Sequence, residues 1–148
     1  MEGSTQMLGE HPVNPVLLAT DLAEARRFYH DLLGLPIAAE NDNMITFRTG
    51  PNLLLVSLSS TGTADTQTQA SWTVTDIHAE TEALRARGVT IQNIDQPGLS
   101  TDHGIADAGF AWAAWITDPA GNSLSILQLK REPGRPDAGG GQASDQQG

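Results

Sequence analysis

Histidine is the residue type best suited to proton transfer near neutral pH, and this chain has four histidines. His103 stands beside Asp102 in a stretch rich in Gly, Asp and Pro, so a loop could carry it over a cavity as a general acid or base. A mobile, solvated histidine is the competing interpretation. His30 and His78 lie beside charged residues of predicted helices and are expected to be solvated.

Composition excludes several other chemistries. The chain has no cysteine, which rules out thiol catalysis, disulfides and cysteine-ligated zinc. Its 8 basic and 18 acidic residues give a net charge of -10, which repels phosphate backbones and anionic lipid, so neither nucleic acid nor membrane is an expected partner. No apolar run approaches the ~20 residues of a membrane helix, and the first ten residues do not resemble a signal peptide. A cytoplasmic location is expected.

The helical segments that would position any site occur as two similar copies along the chain. The two copies read TDLAEARRFYHDLLGLPI at residues 20–37 and TDIHAETEALRARGVTI at residues 75–91. In each copy an aspartate, Asp21 or Asp76, can cap a helix by accepting bonds from its free amides. Gly34 and Gly88 are typical helix ends. The copies lie 55 residues apart at the aspartate and 54 at the glycine (76 − 21 and 88 − 34), so one copy has one residue fewer.

Strands are predicted around both helices. Alternation and turn residues place them at His11–Ala19, Pro36–Glu40, Met44–Arg48, Leu53–Ser59, Gln69–Thr75, Val89–Ile94, Phe110–Thr117 and Ser123–Leu129. Residues 95–109 are predicted to be a long loop, of the kind that forms a lid or binding loop. The organisation is therefore an N-terminal arm (1–10), a first module (11–59), a polar linker (60–68), a second module (69–129) and a tail expected to be disordered (130–148).

A pair of βαβββ modules, with helices ending FYHDLLGLPI and LRARGVTI and a DPAGN turn before the last strand, resembles the vicinal oxygen chelate superfamily. That superfamily contains glyoxalase I, extradiol dioxygenases, fosfomycin-resistance enzymes and bleomycin-binding proteins. The similarity spans about residues 13–129. It implies an α+β fold in which two βαβββ modules form a curled mixed sheet around a cavity, commonly within a homodimer.

The resemblance also locates where a metal would be bound. Metal-dependent members would place His or Glu ligands on the first, fourth, fifth and last strands. Counting from the repeated aspartates and from the DPAGN turn, these positions hold Asn14, Leu55, Gln69 and Ser125. Amides and hydroxyls are weak ligands for divalent transition metals, and leucine is no ligand. We therefore predict no metal and no cofactor, with a divalent metal as the alternative if this register is wrong.

The cavity implied by the resemblance would be lined by neutral side chains. Alternation places on the inner faces of their strands Asn14, Val16, Leu18, Gln69, Ser71, Thr73, Ser123 and Ser125. Phe110, Trp112 and Trp115 add an aromatic cluster in which Trp115 faces opposite to the other two, so part of the cluster could stack on a planar ligand. The competing interpretation is core packing, or a dimer seam for the aromatic residues.

Three functions remain open at this level. The first is a metal-free member that sequesters a small uncharged or aromatic organic molecule, as the bleomycin-resistance branch does. The alternative is a glyoxalase-like lyase, isomerase or dioxygenase, with or without a divalent metal. The third is a scaffold that has kept no ligand. The sequence names no substrate.

Overall fold

Two β-sheets organise the chain in a computed structural model that describes residues 7–63 and 67–130. The strands of the first sheet are β1 (Val16–Ala19), β2 (Ile37–Glu40), β3 (Met44–Thr49) and β4 (Asn52–Leu58), in the spatial order β1-β4-β3-β2. β1 runs parallel to β4, and the other neighbours are antiparallel. A single exposed 3-10 turn, Leu8–Glu10, precedes the sheet.

The second sheet repeats this arrangement and extends it. Its strands are β5 (Thr68–Thr73), β6 (Asp95–Gln96), β7 (Leu99–Asp102), β8 (Ile105–Asp107), β9 (Ala111–Thr117) and β10 (Ser123–Leu129), in the order β5-β10-β9-β8-β7-β6. β5 runs parallel to β10 just as β1 does to β4, because a helix connects the first strand of each module back to its sheet. The predicted α+β fold is confirmed.

Both predicted helix starts are confirmed. α1 (Leu22–Arg26) begins after Asp21, whose carboxylate accepts hydrogen bonds from the backbone N–H groups of Ala23 and Glu24 at 3.0 and 3.2 Å. α2 (Ile77–Ala86) begins after Asp76, which accepts from the Ala79 N–H at 3.1 Å. Each aspartate satisfies amides that have no partner within the helix.

The first helix continues beyond α1 as a π-helical segment, Arg27–Leu32. Asp21 and Gly34 are 13 residues apart, whereas Asp76 and Gly88 are 12 apart, so the first copy must place one more residue in the same span. A π-helical turn takes up one extra residue without ending the helix. As a result two consecutive side chains, Phe28 and Tyr29, are both buried.

One hydrophobic core includes residues of both sheets and of both helices. Each sheet contributes one face to this core, as in the alternation of buried Leu17 and Ala19 with exposed Val16 and Leu18 along β1. The core strand residues are Leu17, Ala19, Ile45, Phe47, Leu54, Val56, Ile105, Ala114, Ile116, Leu124 and Ile126. We call the other face of each sheet its outer face.

Two predicted elements are wrong. Residues 89–94 do not form a strand, although Val89 and Ile91 are buried against the core and the Gln92 N–H donates to the Trp115 carbonyl at 2.9 Å. Residues 95–109 are not a lid-like loop but the three short strands β6, β7 and β8, joined by tight turns and paired antiparallel. Runs of two to four residues carry too little alternation to be recognised, and the glycines of the turns made the whole segment read as a loop.

Parts of three predicted segments lie outside the described residues. These parts are residues 1–6 of the N-terminal arm, 64–66 of the linker and 131–148 of the tail.

Candidate functional site: the outer faces of the two sheets

A strip of three side chains crosses the outer face of the second sheet. Ser125 on β10 lies between Ser71 on β5 and Trp115 on β9, and directly opposite residues on neighbouring strands share a face. The Ser125 hydroxyl donates to the Ser71 hydroxyl at 2.7 Å. Ser125 is buried, Trp115 is half-buried and Ser71 is exposed. The strip therefore grades from a polar edge to an aromatic interior.

The rest of this outer face is polar at β5 and apolar towards β9. Thr73 pairs with Leu127, Leu127 pairs with Ala113, and Ala113 pairs with Ala106. The two alanines place little bulk over the middle of the sheet. Ser123 continues the polar side at the start of β10, opposite Thr117.

The outer face of the first sheet is more apolar. Val16 pairs with Leu55 and Leu18 with Ser57, and Val16 and Leu18 are 55% and 37% exposed. It also carries a cation that the sequence interpretation missed. Arg48 follows Met44 and Thr46 along the outer face of β3, and among the described residues its guanidinium has no hydrogen bond or ion pair. The alternation of β3, whose core residues are Ile45 and Phe47, was the signal that could have found it.

The two outer faces correspond through the internal repeat. Val16 and Ser71 are 55 residues apart (71 − 16), the same offset as the helix caps, and they pair with Leu55 and Ser125. Leu55 is therefore the structural counterpart of Ser125, as the repeat predicts.

The residues at the four family metal positions do not fit a transition metal. The Asn14 Oδ1 atom already accepts the Leu53 N–H at 2.8 Å, extending the pairing of β1 with β4. Gln69 lies at an irregularity in the pairing of β5 with β10, and its amide donates to the Gln67 carbonyl at 2.9 Å. Within residues 7–63 and 67–130, no group of three or more His, Cys, Asp or Glu could hold a metal ion. The donor set gives a divalent metal no anionic or imidazole ligand.

Two aromatic residues predicted to bind ligand lie away from the strip. Trp112 is opposite Asp107 and Gln128 on the face of the sheet that continues the core, at its rim, and the Lys130 Nζ atom lies 4.3 Å from its ring centroid. Phe110 precedes β9 and is 66% exposed. Trp115 is therefore the aromatic residue that shares the outer face with the serines.

His103 also lies away from the strip. It occupies the tight turn between β7 and β8, with a left-handed φ of 53°, and its side chain is 90% exposed. The Arg85 guanidinium of α2 donates to the His103 carbonyl at 2.6 Å, which ties the turn to the helix. Asp102 pairs with the imidazole at 3.0 Å. The segment is therefore a hairpin tied to α2 and not the long loop predicted, and the role of His103 as a general acid or base stays a prediction.

A buried polar network, also missed from the sequence, joins the modules beneath β1. The Tyr29 hydroxyl donates to the Asp118 carboxylate at 2.6 Å. The Asn122 side-chain amide donates both to that carboxylate and to the Leu18 carbonyl of β1, each at 2.8 Å. Burial first, and then the charge and hydrogen bond of Asp118, raise the pKa of Tyr29 well above its ordinary value of 10. The DPAGN turn thereby holds the strand that carries Val16 and Leu18.

This fold and face define a class of protein. The family model of the Glyoxalase/Bleomycin resistance protein/Dioxygenase superfamily matches residues 11–126, which is 116 of the 148 residues (126 − 11 + 1). The chain belongs to this superfamily, which confirms the resemblance seen in its sequence. A comparison with curated proteins finds no match.

Solved structures of the family share the fold. A bleomycin-binding protein from bleomycin-producing Streptomyces verticillus, complexed with copper(II)-bleomycin, is 24% identical, with a TM-score of 0.61 over 80% of this chain and 95% of that chain. A glyoxalase family protein from Bacillus anthracis is 16% identical, with a TM-score of 0.64 over 88% and 100%. A lactoylglutathione lyase from Agrobacterium tumefaciens is 18% identical, with a TM-score of 0.60 over 80% and 92%. At these identities the likeness establishes the fold alone.

Among the residues that the structure describes, none of the helices has the length and apolar character needed to cross a bilayer.

Proposed function

We propose that this protein binds a small, uncharged or aromatic organic molecule on the outer faces of its sheets, without a metal. The observation that carries the proposal is the Ser71–Ser125 hydroxyl pair beside Trp115. Each hydroxyl can donate or accept, so the pair suits a carbonyl, hydroxyl or amide of a neutral ligand. The half-buried indole of Trp115 offers an apolar surface for a planar group next to those hydroxyls.

The donor chemistry supports a metal-free mode of binding. The family positions hold Asn14, Leu55, Gln69 and Ser125, and the oxygen of Asn14 is already used within the sheet. A bleomycin-binding protein with this fold is known in complex with copper(II)-bleomycin, so ligand binding by a protein of this fold supports the proposal. Sequestration of a small molecule is therefore our preferred function over catalysis.

We further propose that two copies of the chain form the binding protein. On the outer face of the first sheet, Val16 and Leu18 expose 55% and 37% of their surfaces. Exposed apolar side chains grouped on one face are typical of an interface. A second copy placed over an outer face would turn it into a closed cavity, and most homo-oligomers are twofold dimers. Sedimentation analysis tests this point: a monomer at micromolar concentration contradicts it.

The first test is elemental analysis of untagged protein purified without chelators, followed by a thermal-shift screen of neutral metabolites and antibiotics. We expect transition metal far below one atom per chain and at least one compound that raises the Tm. Near-stoichiometric metal would contradict the metal-free proposal and favour a lyase or dioxygenase. Turnover of a compound that binds would favour an enzyme over sequestration.

The matched variants are Trp115→Ala and Trp112→Ala, which remove the same side chain from opposite faces of β9. For a compound found in the screen, Trp115→Ala should weaken binding by about tenfold or more, since loss of an aromatic stacking partner costs on the order of 1 kcal/mol beyond its buried area. Trp112→Ala should leave the affinity unchanged. Equal effects of the two variants would contradict the assignment of the outer face as the site.

A further inference from the structure

A separate hollow of about 150 Å³ lies on the core side of the second sheet, where the end of the first helix meets the second module. Its walls are Leu33 and Leu35 after the first helix, Trp72 and Val74 at the end of β5, and Glu80 and Leu84 on α2. Ile116 and Ile126, both core residues, form its base.

This hollow is distinct from the site proposed above. Trp72 alternates with Ser71 along β5, and Ile126 alternates with Ser125 along β10, so the two sites lie on opposite faces of one sheet. Binding in this hollow is therefore independent of binding on the outer faces.

The lining of the hollow is apolar except for one charged side chain. Seven of its eight lining residues are aliphatic or aromatic, and the eighth is the exposed Glu80. Among the described residues, the Glu80 carboxylate has no hydrogen bond or ion pair, unlike Glu82 on the same helix, which pairs with Arg85 at 3.3 Å. An apolar cavity of roughly 150 Å³ accommodates one benzene ring.

We propose that this hollow binds a small organic ammonium ion, that is, an amine carrying one apolar group the size of a single ring. The apolar group would occupy the hollow, and the ammonium group would pair with Glu80 at its rim. The indole of Trp72 adds a surface that attracts cations. The net charge of -10 favours the approach of a cation and opposes that of an anion.

The test uses three probes that share one ring and differ in charge: benzylamine, which is protonated at pH 7, benzyl alcohol and benzoate. Binding to the full chain is measured by calorimetry or ligand-observed NMR. A ligand of this size is expected to bind with a Kd on the order of 1 mM. Benzylammonium should bind about three- to fivefold more tightly than benzyl alcohol, the effect of one partly exposed ion pair, and benzoate should bind most weakly.

Three variants separate this site from the rest of the protein. Glu80→Gln should remove the preference for benzylammonium over benzyl alcohol. The matched change Glu82→Gln lies about 200° around α2 from Glu80, outside the lining of the hollow, and should leave the preference intact. Leu35→Phe adds volume at a half-buried wall and should abolish binding of both probes while the Tm stays the same or rises.

Each contrary result has one meaning. Equal binding of the charged and neutral probes to the unmodified protein overturns the assignment of Glu80, and binding that survives in folded Leu35→Phe overturns the assignment of the hollow. No binding by folded, unmodified protein at 10 mM probe, about ten times the expected Kd, overturns the proposal as a whole. Trp115→Ala should have no effect on benzylammonium, so failure of the outer-face site would be recognised separately.

Discussion

Replacing Tyr29 with Phe tests the energetics of the buried network that joins the modules. The change keeps the ring, which is fully buried between Phe28 and Phe47 at centroid distances of 5.0 and 5.5 Å, and removes only the hydroxyl. No cavity larger than one oxygen atom results. The measured cost should therefore report the hydrogen bond to Asp118 rather than lost packing.

The expected magnitude follows from what the Asp118 carboxylate retains. Without Tyr29 it still accepts the Asn122 side chain at 2.8 Å and the backbone N–H groups of Ala120 and Asn122 at 3.0 and 2.7 Å. A hydrogen bond to a charged group contributes about 1.5–3 kcal/mol. Because three donors remain, we expect a loss of about 2 kcal/mol in the free energy of unfolding, near the lower part of that range.

Urea denaturation followed by circular dichroism measures this loss. With an m-value of about 2 kcal/mol per M, the midpoint should fall by about 1 M at unchanged m. Thr81→Val is the matched control, since it removes a buried hydroxyl that donates only to backbone carbonyls of its own helix, chiefly that of Ile77 at 2.9 Å, and it should cost under about 1 kcal/mol. If Tyr29→Phe costs no more than this control, the reasoning about the network is refuted.

Three further expectations concern pH, backbone geometry and metal. Because burial raises the pKa of Tyr29 in the folded state, the contribution of its hydroxyl to the free energy of unfolding is complete below pH 10 and is lost above it, where the unfolded chain releases the proton first. Above pH 10, stability should fall more steeply in the unmodified protein than in Tyr29→Phe, by up to about 1.4 kcal/mol per pH unit. Parallel alkaline curves for the two proteins would contradict this. Gly104→Ala should lower the free energy of unfolding by about 2–3 kcal/mol in urea denaturation, since the new Cβ would lie 2.5 Å from Ile91 Cγ2. Gly98 has a similar φ but open space around it, so Gly98→Ala should lower it by only about 1 kcal/mol. Equal losses for the two variants would contradict the clash. EDTA should leave the Tm unchanged, and a Tm that falls with EDTA and returns with a divalent metal would contradict metal-free binding.

The sequence was sufficient where the determining interactions are local. The helix caps at Asp21 and Asp76 depend on residues within one turn, and they form as predicted. Alternation correctly assigned Val16, Ser71 and Ser125 to one kind of face, because the side-chain period of a strand does not depend on its partner. The lack of His or carboxylate at the four family metal positions is likewise a property of the sequence alone.

Weak local signals account for the elements that were missed. β6, β7 and β8 span two to four residues each, and they are strands because they pair with one another and with β9. The one-residue difference between the two copies was visible in the sequence, but its consequence was not. It is accommodated by a π-helical segment, which buries both Phe28 and Tyr29.

Only the tertiary structure decided which faces meet. Tyr29 and Asp118 are 89 residues apart in sequence, and nothing in either local pattern indicates that they share a hydrogen bond. On β9, Ala114 and Ile116 pack into the core, so the opposite face, which carries Trp115, is the candidate site. Which face packs inward depends on the apolar area buried by the whole chain and not on β9 alone. The sequence thus determined the local elements and the two kinds of strand face, whereas packing between distant segments determined which of those faces joins the core.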